Sequence, residues 1–298
     1  MRTMSTDNIA SRAEQENQFT TTHHVYEPHK AGLPPLQSYI VELWRRREFA
    51  AESSRAGLRA ANTMTFFGQL WMVLNPLLLA AVYFILVNVL AGGGRGLDFF
   101  ASLTAGLFMF YFIQSSMSTG AQSVVGGGKL LLNTAFPRLL MPFSAVRSAW
   151  YRFLPTVPVY FIFHLWSGRP FSWATLLVFP FIGMIILFSL GLASLFGALQ
   201  VYFRDTTAFL PYFSRIWLYM SPVLWTIDDL DGKFLAYAKI LQAVNPLFSL
   251  LGGYKEALVS GTVPPLSVWV GAFLWSTIVF AIGCLFFMSR EREFAVRL

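Results

Sequence analysis

The chain has 298 residues, of which 55% are apolar and only 12% are charged, and its mean hydropathy is +0.55. Soluble domains carry about 25% charged residues, so this composition excludes an ordinary soluble globular protein. The net charge of +7 would suggest a polyanion ligand in a soluble protein, but in a membrane protein the distribution of charge matters more. We expect no nucleic-acid partner, and the single cysteine, Cys284, excludes an internal disulfide.

Residues 1–35 are polar and predict a flexible cytoplasmic arm. They lack the apolar core that a secretory signal peptide requires. His23, His24 and His29 are close in sequence, but no cysteine or second cluster supports a metal site there. We therefore predict a solvated arm and no metal.

Residues 36–61 predict an amphipathic helix with a connector. Leu36, Ile40, Leu43 and Trp44 follow helical spacing, and polar residues occupy the other faces. A Trp on the apolar face and arginines after it favour a helix that lies in the membrane interface and meets lipid phosphates.

Residues 62–298 predict an all-α membrane domain with six transmembrane helices. A spanning helix needs about 20 mostly apolar residues. The six apolar runs are Phe66–Leu90, Phe99–Met117, Phe143–Trp166, Trp173–Leu199, Ala208–Trp225 and Val268–Met288.

The basic residues predict that both termini are cytoplasmic, because cytoplasmic loops collect Lys and Arg. With that orientation fourteen basic residues lie inside and five outside. The inner residues are Arg45, Arg46, Arg47, Arg55, Arg59, Lys129, Arg138, Arg147, Arg152, Arg204, Arg215, Arg290, Arg292 and Arg297, and the outer ones are Arg95, Arg169, Lys233, Lys239 and Lys255.

The loop after the second span contains three glycines followed by Lys129. A phosphate-binding loop would need a glycine in place of Ser123 and a serine or threonine in place of Leu130, so this loop is not a nucleotide site. The short apolar stretch that follows is closed by Pro137 and Pro142. It predicts either a docking element for a partner or a plain helix connection.

The connection after the fourth span reads Tyr202, Phe203, Arg204, Asp205. The arginine and the aspartate have three alternatives: to pair with each other, to cap the next helix through Asp205, or to form salt links to a partner.

The segment from Thr226 to Ser267 contains two short apolar stretches, Phe234–Leu241 and Pro246–Leu258, that meet near Asn245. Neither is long enough to span a bilayer, and such segments are typically re-entrant. We predict two re-entrant half-helices in the outer leaflet that act as a gate.

The order of these features resembles the ABC-2 type permease subunits of polysaccharide exporters. It is most similar to the Wzm-like permeases that move lipid-linked O-antigen, teichoic acid or galactan, and among them to the mycobacterial galactan exporter. The resemblance covers about Leu36 to Arg297 and rests on the order of the motifs.

The resemblance implies a bacterial inner-membrane homodimer with two copies of a separate P-loop ATPase. ATP and Mg would bind that partner, and this chain would bind no cofactor and carry no catalytic residue. The coupling helix maps to Lys129–Met141. The coupling residues are Lys129, Phe136, Pro137, Arg138, Arg204 and Asp205.

Aromatic and amide side chains suit a channel for sugars, because rings stack on the apolar faces of sugars. The candidates are Trp71, Asn75, Tyr83, Tyr212, Phe213, Trp217 and Tyr219, and the candidates for an outer gate are Asn245, Pro246 and Tyr254. The alternative is that these aromatics pack in the core or form an interfacial belt.

Arg147 and Arg152 lie near the inner end of the third span, where a charge is costly. They either extend to lipid headgroups or, with Arg55 or Arg59, bind the diphosphate of a polyprenyl-linked substrate.

Two other functions remain open at this stage. A membrane-embedded glycolipid-processing enzyme would need paired carboxylates, and those of this chain are scattered. An ABC-2 permease for a drug or small lipid would share the fold.

Overall fold

The computed structural model describes residues 33–61, 68–90, 96–127, 136–168, 171–225, 237 and 240–297. Every regular element in these ranges is helical, which confirms the predicted all-α class for this part of the chain. Most of the predicted arm, Lys129 and most of the stretch Phe234–Leu241 lie outside the described residues, as does the side chain of Arg59.

The helices are numbered in chain order. They are α1 Leu36–Arg45, α2 Arg47–Ala61, α3 Trp71–Leu90, α4 Leu97–Gly126, α5 Leu140–Phe153, α6 Thr156–Trp166, α7 Val178–Tyr202, α8 Thr206–Tyr219, α9 Pro246–Lys255, α10 Leu266–Arg290 and α11 Phe294–Arg297. Short 3₁₀ turns precede α3, α7 and α11, and a π-helical turn, Glu256–Ser260, extends α9.

Among the described residues, four helical segments are long and apolar enough to cross a membrane. They are Trp71–Val89, Leu97–Gly126, Trp173–Tyr202 and Leu266–Glu293. These segments correspond to the first, second, fourth and sixth predicted spans.

The other two predicted spans are shorter or interrupted. The run Phe143–Trp166 is divided at Leu154 and Pro155 into α5, with 14 residues, and α6, with 11. Pro155 has no N–H to donate and its ring clashes with the preceding turn, so it breaks the helix. Helix α8 also has 14 residues, or about 21 Å, which is less than the bilayer core of about 30 Å. The six-span count therefore stays a prediction.

Helix α1 has the predicted amphipathic character, but its two aromatic residues, Tyr39 and Trp44, lie on opposite faces. Tyr39 is buried and Leu43 packs against the protein. Ile40 and Trp44 are 61% and 67% exposed. This uncovered apolar face is the one that an interfacial helix would present to lipid.

The centre of the fold is α7, which packs between α4 and α10 through small residues. Gly120 of α4 lies against Ala193 of α7, so closely that a side chain in place of Gly120 would overlap the Ala193 backbone. On the other side of α7, Gly191 lies against the backbone of Gly283 in α10. Small residues of this kind let helix backbones approach closely and gain van der Waals contact.

We expect Gly191→Ala to destabilise the protein and Gly183→Ala to leave it unchanged or slightly more stable. A methyl group on Gly191 would overlap the backbone of Val279 and Phe280, whereas Gly183, on the exposed face of the same helix, has no atom within 4 Å of the added methyl. Overpacking of this kind costs about 1–3 kcal/mol. Thermal unfolding of the two purified variants in one detergent measures the difference, and equal melting temperatures would contradict the described packing.

Candidate functional site

One end of the bundle gathers four chain segments into a common apolar cluster. The buried residues Tyr39, Leu139, Val201, Phe287 and Phe294 form this basal cluster. They come from α1, the loop before α5, the end of α7, and the C-terminal segment formed by the end of α10 and α11. The cluster therefore joins the N-terminal helix, one loop, the end of α7 and the C-terminal tail.

Polar contacts connect the same segments. The Tyr39 hydroxyl donates to Glu291 Oε2 at 2.6 Å and accepts from the Leu139 N–H at 3.3 Å. The Arg138 guanidinium donates to the Glu291 backbone carbonyl. Burial, together with the Glu291 carboxylate, raises the pKa of the Tyr39 phenol, so this hydroxyl keeps its proton and remains a donor.

A second polar group lies beside the first. The Tyr202 hydroxyl donates to Glu293 Oε2 at 2.6 Å. Glu293 also pairs with Arg290 at 3.1 Å and Arg297 at 3.5 Å. The Arg297 guanidinium lies 4.4 Å from the centre of the Tyr202 ring. These ion pairs are partly exposed and contribute little stability alone, but together they hold the tail against the end of α7.

The loop with Arg204 and Asp205 is shaped by Gln200. The Gln200 amide donates to the Arg204 carbonyl and accepts from the Thr207 N–H, both at 2.9 Å. Asp205 stands at the N-cap of α8 without a side-chain capping bond. Within the described residues the two charged side chains have no ion pair with each other, and both are exposed. The predicted link of these residues to a partner stays a prediction.

The other predicted coupling residues lie at the edge of the basal cluster. Phe136 is half-buried against it, Pro137 is buried and Arg138 is half-buried. Sequence analysis missed Glu291, which the fold brings between Tyr39 and Arg138 although it is far from both in sequence. The sequence signal for Glu291 was the presence of acidic residues between the arginines of the tail.

The structure separates the predicted phosphate-binding arginines into two places. Arg147 donates to the Tyr151 hydroxyl through Nε at 3.2 Å and Nη2 at 3.0 Å. Arg55 of α2 also lies beside this hydroxyl and pairs with Glu52 at 3.0 Å. Arg152 points elsewhere, into a cavity that Asn75 also lines.

The predicted channel aromatics lie on and beside α8. Tyr212 is 67% exposed, and the Tyr83 ring of α3 meets the Tyr219 ring edge-on with centroids 6.3 Å apart. Phe213 and Trp217 are half-buried, with their rings 5.2 Å apart. Their predicted contact with a sugar stays a prediction.

Asn245, predicted for the gate, holds the segment after α8 in place. Its Oδ1 accepts from Trp217 Nε1 at 2.9 Å and from the Leu247 N–H at 3.1 Å. Its Nδ2 donates to the Met220 carbonyl at 2.9 Å and to Ser221 Oγ at 3.1 Å. Of the other two predicted gate residues, Pro246 begins α9, and Tyr254 is buried. One buried amide thus serves as helix cap and as a clamp on the preceding loop.

The contacts of Lys255 were also not predicted from the sequence. From the sequence it was counted among the basic residues of the outer side. In the structure its side chain is buried, and its Nζ donates to the Pro222 carbonyl at 3.0 Å. Together with Asn245 it holds the non-helical residues 220–225 against α4 and α9.

Known relatives of this chain are named as permeases. Two O-antigen export system permease proteins RfbA from Klebsiella pneumoniae are 28% and 27% identical over 208 residues, which is 69% of this chain and 78% of each relative. Another RfbA, from Myxococcus xanthus, is 26% identical over 258 residues, 86% of this chain and 97% of the relative. No protein-family model matches the chain.

These relatives confirm two predictions from the sequence. The chain is similar to the permease subunits of polysaccharide ABC exporters, as the order of its motifs indicated. The relatives are named as transport permeases, which also confirms the prediction of a permease and not an enzyme.

We expect Asn245→Ala to destabilise the protein more than Gln242→Ala, the loss of an exposed amide three residues earlier. Removing the Asn245 amide leaves the Trp217 indole N–H and the Met220 carbonyl without this partner. Each buried polar group left unsatisfied costs about 1–3 kcal/mol. Thermal unfolding in detergent measures both variants, and a loss at Asn245 no larger than that at Gln242 would refute the clamp.

Proposed function

We propose that this chain is the permease subunit of an ATP-driven exporter that moves a lipid-linked polysaccharide out of the cytoplasm. The observation that carries the proposal is the similarity to a named O-antigen export permease across 86% of this chain and 97% of the relative. Because the match covers nearly the whole relative, it supports a common architecture for the whole permease and not only for one pair of membrane helices.

The proposed topology has six crossings of the bacterial inner membrane with both termini in the cytoplasm. The broken pair α5 and α6 forms the third crossing, and α8 with residues 220–225 forms the fifth. A proline break is tolerated there because the backbone keeps hydrogen bonds across it, from the Leu154 N–H to the Trp150 carbonyl and from the Val157 N–H to the Leu154 carbonyl. The excess of basic residues at the basal end supports its cytoplasmic position. Helix α9 forms one half of the proposed re-entrant outer gate.

The energy for transport comes from a separate P-loop ATPase that binds ATP and Mg, with two copies on a homodimer of this chain. The basal cluster provides its docking surface. Phe136 and Arg138 are fixed there by packing and by Glu291, so a displacement of the loop is passed to α1 and to the tail. The exposed side chains of Arg204 and Asp205 offer a second contact to the same partner.

The exposed rings on α8 support a sugar path between two copies of the chain. Tyr212 and Tyr219 present aromatic faces with hydroxyl groups, which suit the apolar face and the hydroxyl edge of a sugar ring. Arg55 and Arg147, which meet at the Tyr151 hydroxyl, form a basic surface beside α2 for the diphosphate of a polyprenyl carrier.

The cargo is a galactan or an O-antigen-like glycan. A permease for a drug or a small lipid is the second candidate, because it would share the helix order and the basal cluster. An intramembrane glycolipid-processing enzyme is a weaker third candidate.

Depletion of this chain in its native host tests the transported cargo. We expect lipid-linked glycan to accumulate on the cytoplasmic face, where a glycosidase cannot reach it in intact spheroplasts but can in inverted vesicles. Re-expression of the chain restores access from outside. Unchanged glycan distribution with altered drug sensitivity would favour the drug permease, and a changed chemical structure of the glycolipid would favour the enzyme.

We expect Asp205→Ala and Arg204→Ala to weaken retention of the P-loop ATPase in affinity purification without lowering the melting temperature. Both side chains are exposed, and within the described residues neither has an ion pair that the substitution would remove. Glu48→Ala, an exposed carboxylate of α2, is the matched control. The ratio of ATPase to permease in the eluate measures the effect, and an unchanged ratio for both variants would refute the second contact.

A further inference from the structure

A cavity of about 310 Å³ between α3, α4 and α5 is lined in part by polar groups from all three helices. They are the side chains of Asn75, Gln114, Ser115, Ser118 and Arg152. Within the described residues none of these side chains has a hydrogen bond or an ion pair, and the lining contains no carboxylate. The cavity therefore concentrates donors and one positive charge.

The position of Arg152 makes an unpartnered charge costly. It lies in the last turn of α5, half-buried between aromatic residues such as Phe112 and Phe153. A guanidinium in such surroundings is stabilised best by an anion with several acceptor oxygens, which it binds in bidentate geometry. The serine hydroxyls and the Gln114 amide can donate to the remaining oxygens. These requirements fit a phosphate group.

A second cavity, of about 360 Å³, adjoins the first. Phe108, Phe153 and Thr156 line both cavities, so the two cavities are neighbours near the break between α5 and α6. The Thr156 hydroxyl already donates to the Phe153 carbonyl at 2.6 Å. The rest of the second cavity has a mostly aliphatic and aromatic lining that includes Phe179 and Ile182. Such a cavity favours hydrocarbon over water.

We propose that the two cavities form one binding site for a phosphate-bearing lipid. The phosphate binds Arg152, Gln114 and the serine hydroxyls, and the hydrocarbon chain lies along Phe153 in the apolar cavity. The existence of the site is inferred from the lining of the two cavities alone. The choice of a polyprenyl phosphate over a bulk phospholipid as its ligand rests on the proposed function.

Native mass spectrometry of the full-length protein in detergent tests the site. The probes are a polyprenyl phosphate, phosphatidylglycerol and the uncharged polyprenol. We expect the polyprenyl phosphate to bind in a one-to-one ratio and the polyprenol at least about tenfold more weakly, because the loss of a charged hydrogen bond has this size. Arg152→Gln is expected to weaken binding of the polyprenyl phosphate by a similar factor.

Two further variants examine the apolar cavity and protect the test against misfolding. Thr175→Phe fills the apolar cavity from a half-buried position and is expected to reduce lipid binding. Leu165→Phe introduces the same side chain on the exposed face of α6 and is expected to bind like the unmodified chain. If Arg152→Gln lowers the yield, Gln114→Leu removes a donor from the opposite wall and provides the same readout.

The outcomes separate the site from the proposed function. Stronger binding of phosphatidylglycerol, with the same dependence on Arg152 and Thr175, supports the site and assigns it to bulk lipid. Equal binding of the polyprenol overturns the proposal, as does binding that Arg152→Gln and Thr175→Phe leave unchanged. Loss of binding on Arg147→Gln with unchanged binding on Arg152→Gln also overturns it, because the phosphate would then lie only at the Tyr151 surface of the proposed function. None of these results depends on glycan export, which the depletion experiment measures separately.

Discussion

The contact of α7 with α4 and α10 through glycine and alanine positions the rest of the protein. In a bilayer there is no hydrophobic force between helices, so close van der Waals contact of backbones is what holds them together. Gly120, Gly191 and Gly283 allow that contact on both sides of α7. The three helices then form a rigid unit, and α3, α5, α6 and α8 attach to its surface. The cavities lie where these outer helices meet the unit, which is where packing is less complete.

The basal cluster depends on the same unit, because apolar residues at the ends of α4, α7 and α10 belong to it. Tyr39 and Phe294, which lie near opposite ends of the chain, pack in the same cluster. Glu291 then bonds to Tyr39 through its side chain and to Arg138 through its carbonyl. A force applied to the loop at Arg138 is therefore shared by the first helix and the tail, while the α4, α7 and α10 unit resists it. This arrangement suits a loop that receives motion from a partner.

Hydropathy and charge predicted four of the long helices because their apolar runs are long and uninterrupted. The same reasoning did not reveal the break at Pro155, since apolar composition continues across it. The predicted arginine group also divided, because residues five positions apart, such as Arg147 and Arg152, point to different sides of a helix. Glu291 and Lys255 were missed for another reason. Their partners, Arg138 and Pro222, are distant in sequence, and no local pattern records such a pairing.

Buried basic groups in this protein differ in what they already bind, and that difference identifies Arg152. Hydrocarbon cannot satisfy backbone groups, so irregular backbone in a membrane needs partners from the protein. Lys255 donates to the Pro222 carbonyl, and Arg138 donates to the Glu291 carbonyl where α10 ends. The break after α5 needs no such help, because the Leu154 N–H donates to the Trp150 carbonyl and the Val157 N–H to the Leu154 carbonyl. Within the described residues Arg152, beside that break, donates to no backbone carbonyl, and this is why we propose a ligand for its charge.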